Sequence, residues 1–540
     1  KRYSRVIASG DPWYDAQILS RQTEVSRVYN VSFKEEIIEG EVGLLSFSLF
    51  GGVDLPGDVI DHHVQIQVNN VLVHDGQFDG FTEHRGNITL APGLLTGSND
   101  EVKIILPGDT GLFADLVLID ALSVAVPIAL NSQQARRFQS VSTIEAYRVA
   151  LSDTRKRRVF AYNENGSFSE VIATQNDESI SFRVLPFLES SNKVGLLNYA
   201  VSSIDELESA VSIELISTPE LHKVATDLLI VAHPNFIGQE LDAYVAFKID
   251  EGFTPLVVSW LDLVERYGFG NNTPDALNNF LDRAKNYYTQ KNVLIIGGHT
   301  YDYLDVLGSG AVNFIPTHYR RVSSAEYAPA DNVYADLDFD NRPEFAIGRW
   351  PVRSLEDLKV IIAKSQAWQL KRRQGNNQSA LLIAQAKDGR NLNFKQSLEG
   401  RVVPQLSALS QYAAPVKVYL EDLQLDSVIE PIEYARGLIA ETINSGTDLV
   451  SFAGHASVSG WGFQGVVNTQ FIQELQNYND PVIVMPLACY TSNYQSLGTN
   501  TLAHQWLFAG TQGAAAVHGA AMLGEYRENG IFAERVLKSS

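Results

Sequence analysis

From residue 225 onward the sequence alternates short runs that are apolar throughout with segments of helical character. In order these are DLLIVAHP, GQELDAYVAFKIDEG, TPLVVSW, PDALNNFLDRAKNYYTQ and NVLIIGGH. A strand apolar at every position must bury both of its faces, which happens when parallel strands are covered by helices on either side. The pattern therefore predicts an α/β region built on a parallel sheet. SLEDLKVIIAKSQAWQLKRR (354–373) reads as a long amphipathic helix, and the basic, Gly/Asn-containing KRRQGNNQS that overlaps its end reads as a joint. Beyond it the alternation resumes with ALLIAQA, VKVYL, EYARGLIAETINSG, DLVSFAGH, NTQFIQELQNY, PVIVMPLAC and GAAAVHGAA, predicting a second α/β set.

The first half has a different period. HHVQIQVNNVLVHDG (62–76) alternates apolar and polar residues and carries Asn69-Asn70 at its middle, a hairpin signal. LLSFSLFGG, EVKIILPGD and DLVLIDALSVAV are further short strands without long helices between them, which implies a sandwich. The expected layout is multidomain: a jelly-roll-like β-sandwich over 1–130, a small β module over 131–220, and α/β subdomains over 221–373 and 374–540. A hairpin is expected around Asn165-Gly166 in the second part. A chain of 540 residues with 45% apolar and 19% charged residues supports several cores and argues against extensive disorder. The net charge of −21 weighs against nucleic acid as a partner, since phosphate binding needs a positive footprint. No apolar run is long enough to span a membrane, and the opening KRYSRVIASGDPW lacks the pattern of a leader peptide.

Two residues end apolar runs in a way that matters for chemistry. His455 follows DLVSFAG, and Cys489, the one cysteine of the chain, follows PVIVMPLA. Sites in open parallel sheets gather at the carboxyl ends of strands. The intervening NTQFIQELQNYND is expected to be the crossover helix that makes the two strands neighbours. A thiol needs a nearby base to attack at neutral pH, and an imidazole supplies one. The backbone N–H groups of Ala456 and Cys489 are the candidate oxyanion donors. The other histidines read as structural, and no H-E-x-x-H, P-loop, G-x-G-x-x-G or G-x-S-x-G motif occurs.

LVSFAGHASVSGW followed by PVIVMPLACYTSNY resembles the gingipain-type cysteine peptidases of clan CD, which have a caspase-like fold. Gly454, His455, Ser457, Trp461 and Cys489 match that pattern, and stretches such as NVLIIGGHTYDYLD and VYADLDFDNRPEFAIGRWPVRSLEDL extend the likeness over nearly the whole chain. The resemblance implies a cysteine endopeptidase in which Cys489 is the nucleophile, His455 the general base and acid, and Trp461 a substrate-binding residue. It places an orienting acid at the end of LLIAQAKDG, where the matched position is Lys387 and the acid, Asp388, comes one later. It also implies a structural calcium ion on Asp338, Asp340, the carbonyl of Arg342 and Glu344. His299 stands where relatives carry an aspartate ligand, with Asp302 or Asp305 as substitutes, and Ala456 stands where they carry glycine. Implied too are a secreted or cell-surface location and a protein or peptide substrate; for the β domain three roles stay open, binding of carbohydrate, of a protein partner, or of the catalytic domain itself. The relatives' preference for basic residues does not carry over, because no pocket acid matches. Two other readings stay open: a transpeptidase or sorting enzyme using the same dyad, and an inactive surface-binding protein of the same fold.

Overall fold

The computed structural model describes residues 1–4, 12–33, 37–38, 40–55, 57, 60–128, 137–139, 146–151, 154–162, 168–183, 198–203, 220–288, 292–310, 313–322, 325–374, 378–388, 392–409, 411–423, 431–463 and 465–539. The chain divides into two compact units, Lys1–Thr218 and Pro219–Ser540.

The first unit is built of antiparallel strands. Ala16–Ser20, Asp115–Ala125, Gly43–Gly51 and Glu83–Leu90 form one sheet in that order, and Val25–Val31, Asp100–Leu106, His62–Val68 and Val71–Phe78 form another. Alternate residues of both sheets (Leu45, Phe47 and Leu49 from one, Val64, Ile66 and Val68 from the other) share one buried core, as the period of two requires. Asn69 and Asn70 turn the hairpin at φ of 47° and 64°, a left-handed pair that asparagine tolerates. Nearer the end of this unit, Arg157–Tyr162 pairs with Phe168–Val171. The turn expected at Asn165-Gly166 lies outside the described residues.

The second unit carries two parallel sheets. Strands β1 (Leu228–Ala232), β2 (Pro255–Ser259), β3 (Asn292–Ile296) and β4 (Ala346–Trp350) form the first, in the order β2-β1-β3-β4. Strands β5 (Ala380–Ala384), β6 (Val416–Tyr419), β7 (Leu449–Ala453), β8 (Val482–Leu487) and β9 (Ala514–Val517) form the second, in the order β6-β5-β7-β8-β9. Every residue of β5 and β7 is buried, which is why those runs are apolar but for Ser451, whose hydroxyl donates to the Met485 carbonyl.

Helix α1 (Leu355–Arg373) joins the sheets, and its start is written locally. Ser354 accepts the Asp357 N–H at 3.1 Å while the Asp357 carboxylate accepts the Ser354 N–H, a reciprocal cap. The crossover between β7 and β8 differs from expectation: its helix covers only Thr469–Gln473. Asn477 explains the early stop, since its side chain accepts from the Gly513 N–H and donates to the Gly513 and Asp480 carbonyls, pulling the chain away from helical geometry.

Lys364, in α1, is 1% exposed and donates to the carbonyls of Trp506 and Leu507, at the end of helix α2 (Leu502–Phe508). Burial pushes its pKa down to about 7, so the unfolded chain binds more protons than the folded one between that value and the ordinary lysine range. Stability measured by urea unfolding is therefore expected to rise from pH 7 to pH 10, and Lys364→Met to flatten that rise.

Candidate active site

The register of the second sheet sets the two candidate residues at the same end of neighbouring strands. Ala453 of β7 pairs with Leu487 of β8, so His455 and Cys489 each lie two residues beyond paired positions on neighbouring parallel strands. Gly454 is required at the turn: a Cβ there would lie 2.4 Å from the Phe452 ring and 2.8 Å from Gln385 Cβ. The Gln385 side-chain oxygen accepts the His455 N–H at 2.9 Å and fixes the backbone on which the imidazole sits.

Asp388, reached by the segment leaving β5, accepts a hydrogen bond from His455 Nε2 at 2.8 Å. A carboxylate only accepts, so the Nε2 proton is held and Nδ1 is left as the base. The Asp388 side chain is 7% exposed and that of His455 29%, so the acid is shielded while the imidazole remains accessible. Phe463 stacks on the imidazole with centroids 4.8 Å apart, and Phe394 meets it edge-on at 5.3 Å. These two rings and Gln385 carried no signal in the sequence beyond being apolar or amide residues near the motifs.

Cys489 is half-buried, and the Gly524 N–H points at its sulfur at 3.4 Å. Tyr490, the next residue, takes φ of 58° and donates its N–H to the Met522 carbonyl at 2.8 Å. A tyrosine in the left-handed region is costly and turns the chain sharply just after the thiol. Among the described residues, the N–H groups of Ala456 and Cys489 have no hydrogen-bond partner within the protein. The loop that follows is tied to the first sheet: Arg353 donates to the carbonyls of Tyr494, Ser496, Leu497 and Gly498.

Trp461 corrects an expectation. It is 1% exposed, stacked on Phe452 at 4.9 Å and packed against Trp506, because the hairpin Gly460–Trp461/Val467–Asn468 turns it inward. It belongs to the core, and the exposed aromatic beside the imidazole is Phe463, 76% exposed.

In the acidic loop, ligand atoms of Asp336, Asp338 and Asp340 lie within 4.8 Å of one another. Asp336 was not singled out from the sequence, yet it is 9% exposed and its Oδ1 is buried without a hydrogen-bond partner. Such an oxygen fits a hard cation. Glu344 is outside that group and accepts the Leu337 N–H at 2.7 Å, while the Arg342 N–H donates to Asp340. His299 and Asp302 are also otherwise engaged. His299 bonds Asn313 and Tyr319 through its two nitrogens, and Asp302 accepts the N–H groups of Val306 and Leu307.

Comparison with known proteins adds identity to this geometry. Residues 222–539 match the model of peptidase family C25. An uncharacterized protein of Archaeoglobus fulgidus is 32% identical over 81 residues, which are 15% of this chain and 19% of that protein. Dimeric latent PorU from Porphyromonas gingivalis shares 15% identity at a TM-score of 0.48, covering 69% of this chain and 40% of that one. The Arg-specific cysteine proteinase gingipain R shares 18% identity at a TM-score of 0.44, covering 61% and 70%. The chain thus spans less than half the length of the first two of these proteins. With the family model spanning more than half of its residues, the chain belongs to peptidase family C25, the gingipain family.

Proposed function

We propose that the chain is a cysteine endopeptidase. The observation that carries this is the linear set Asp388, His455 and Cys489 at the carboxyl ends of adjacent strands β5, β7 and β8, with the Asp388–His455 bond at 2.8 Å. His455 Nδ1 takes the thiol proton as Cys489 sulfur attacks the scissile carbonyl, and the Ala456 and Cys489 N–H groups receive the developing oxyanion. The imidazolium, stabilised by Asp388, then gives its proton to the departing amine as the C–N bond breaks, leaving a thioester. Water, deprotonated by His455, attacks the thioester, and the C–S bond breaks with return of the proton to sulfur.

The test is incubation with a diverse peptide mixture read by mass spectrometry, in the presence of an added amine. Hydrolysis predicts new fragments ending in free carboxyls that disappear with Cys489→Ala. Fragments joined to the added amine favour the transpeptidase instead, and an intact mixture favours the non-enzyme.

Asp336, Asp338 and Asp340 would hold a calcium ion, whose part is to neutralise three crowded carboxylates and brace the loop; no catalytic step passes through it. Added calcium is expected to stabilise the folded state, to which alone it binds, by about 2.7 kcal/mol at a hundredfold excess over Kd, and so to raise the melting temperature. EDTA reverses the gain and Asp336→Ala removes it. A melting curve blind to calcium contradicts the proposal. Family membership supports a secreted or cell-surface location and a protein substrate. Among the described residues no helix is long and apolar enough to cross a membrane. The four-part layout with boundaries at 130, 220 and 373 remains our proposed division.

A further inference from the structure

The order of strands β6-β5-β7-β8 sets out the carboxyl rim as Leu420, Asp388, His455, Cys489. Beyond the imidazole, on the side away from the thiol, a cavity of about 240 Å³ opens. Its walls are Leu420, Pro431, Ile432, Phe463 and Val466, with the segment Gln385–Asp388 completing it. No residue of the Cys489 loop lines it. Among the described residues of the lining, Asp388 is the one acid and is already bonded to His455, and Lys387 is the one cation.

We infer that this cavity receives the side chain of the first residue on the amine side of the scissile bond, and that it selects an apolar one. The inference rests on the peptidase reading of Cys489 and His455. The departing nitrogen takes its proton from the imidazole, so it lies within hydrogen-bond reach of His455 when the C–N bond breaks. The residue that carries this nitrogen therefore leaves on the imidazole side of the thiol, where the cavity stands. Phe463 links the two directly, since its ring stacks on the imidazole at 4.8 Å and also forms a cavity wall. The volume suits one side chain of the size of leucine or phenylalanine. Among the described residues of the lining, a lysine or arginine entering it would meet Lys387 and no carboxylate beyond the one bonded to His455, and a buried charge without a partner is disfavoured.

The test digests a proteome-derived peptide library with the full chain and reads the residue that follows each cut, normalised to its frequency in the library. Such a library leaves the acyl-side preference free. Leucine, phenylalanine and their like are expected to exceed glycine by about ten- to a hundredfold, with lysine and arginine no better than glycine. Ile432→Glu is expected to shift the same profile toward lysine and arginine while cutting continues. A flat wild-type profile, or one led by basic residues, overturns the inference and leaves the peptidase standing. If nothing is cut and Cys489 forms no thioester with an activated ester, both readings fall together.

Discussion

His455→Ala is expected to lower peptide hydrolysis by about 10²- to 10⁴-fold, the range for loss of one general acid–base group, with kcat falling far more than KM rises. The His455 side chain is 29% exposed and borders solvent, so its removal leaves no closed cavity and the chain should still fold. Asp388→Asn is the finer probe. It keeps the shape beside Nε2 but withdraws the charge that stabilises the imidazolium, so kcat falls while substrate affinity stays near wild type. Initial rates on one peptide, with circular dichroism as the folding control, check both. Full activity in either variant would remove that residue from the mechanism.

Arg349→Met should produce the largest loss of stability. All five guanidinium donors are engaged: two with the Asp331 carboxylate at 2.7 and 2.8 Å, and three with the carbonyls of Gly297, Ile315 and Pro316. The Arg349 side chain is 4% exposed, and Thr317 and Tyr494 complete the shell around Asp331. Breaking such a pair by removing one partner costs about 3–5 kcal/mol, because a buried charge is left behind. Burial, the largest single influence, would raise the Asp331 pKa, but the Arg349 charge together with the hydrogen bonds from Arg349, Thr317 and Tyr494 outweighs it and the net shift is downward. The contribution is therefore present above the ordinary carboxylate range and lost as the pH falls through the lowered value. Urea unfolding should show Arg349→Met paired with Asp331→Leu costing less than the two single losses added together. Since Tyr494 belongs to the loop following Cys489, Arg349→Met is also expected to slow catalysis. Strict additivity would contradict the coupled arrangement.

What the sequence disclosed of the fold was periodic. Runs that are almost wholly apolar became β5 and β7, buried throughout, and the alternating runs became antiparallel strands that share a core. His455 and Cys489 were readable because both end such runs, and strand register does the rest. Asp388 stands one position past the matched residue, and it is the carboxylate that reaches His455 Nε2. The parts that did not show depend on contacts between residues far apart in the chain. Gln385 holds the His455 backbone from 70 residues away, and Arg353 gathers carbonyls about 140 residues on. Trp461 looked like a substrate wall because it follows the histidine motif, but a two-residue hairpin strand folds it against Phe452. Asp336 lies just ahead of the acidic motif, and only the curl of the loop sets its carboxylate beside those of Asp338 and Asp340. The short crossover was hidden for a similar reason, since Asn477 draws its bonds from Gly513 rather than from neighbouring residues.

The central claim, that Cys489 attacks a carbonyl with His455 as its base, is tested most directly by acid-quenching a turnover mixture at short times and mapping the protein by mass spectrometry. The account predicts an acyl adduct on Cys489 that hydroxylamine removes, that decays as free-carboxyl product appears, and that His455→Ala does not form at a comparable rate. Peptide cleavage that persists in Cys489→Ala, or an adduct that accumulates equally without His455, would contradict it.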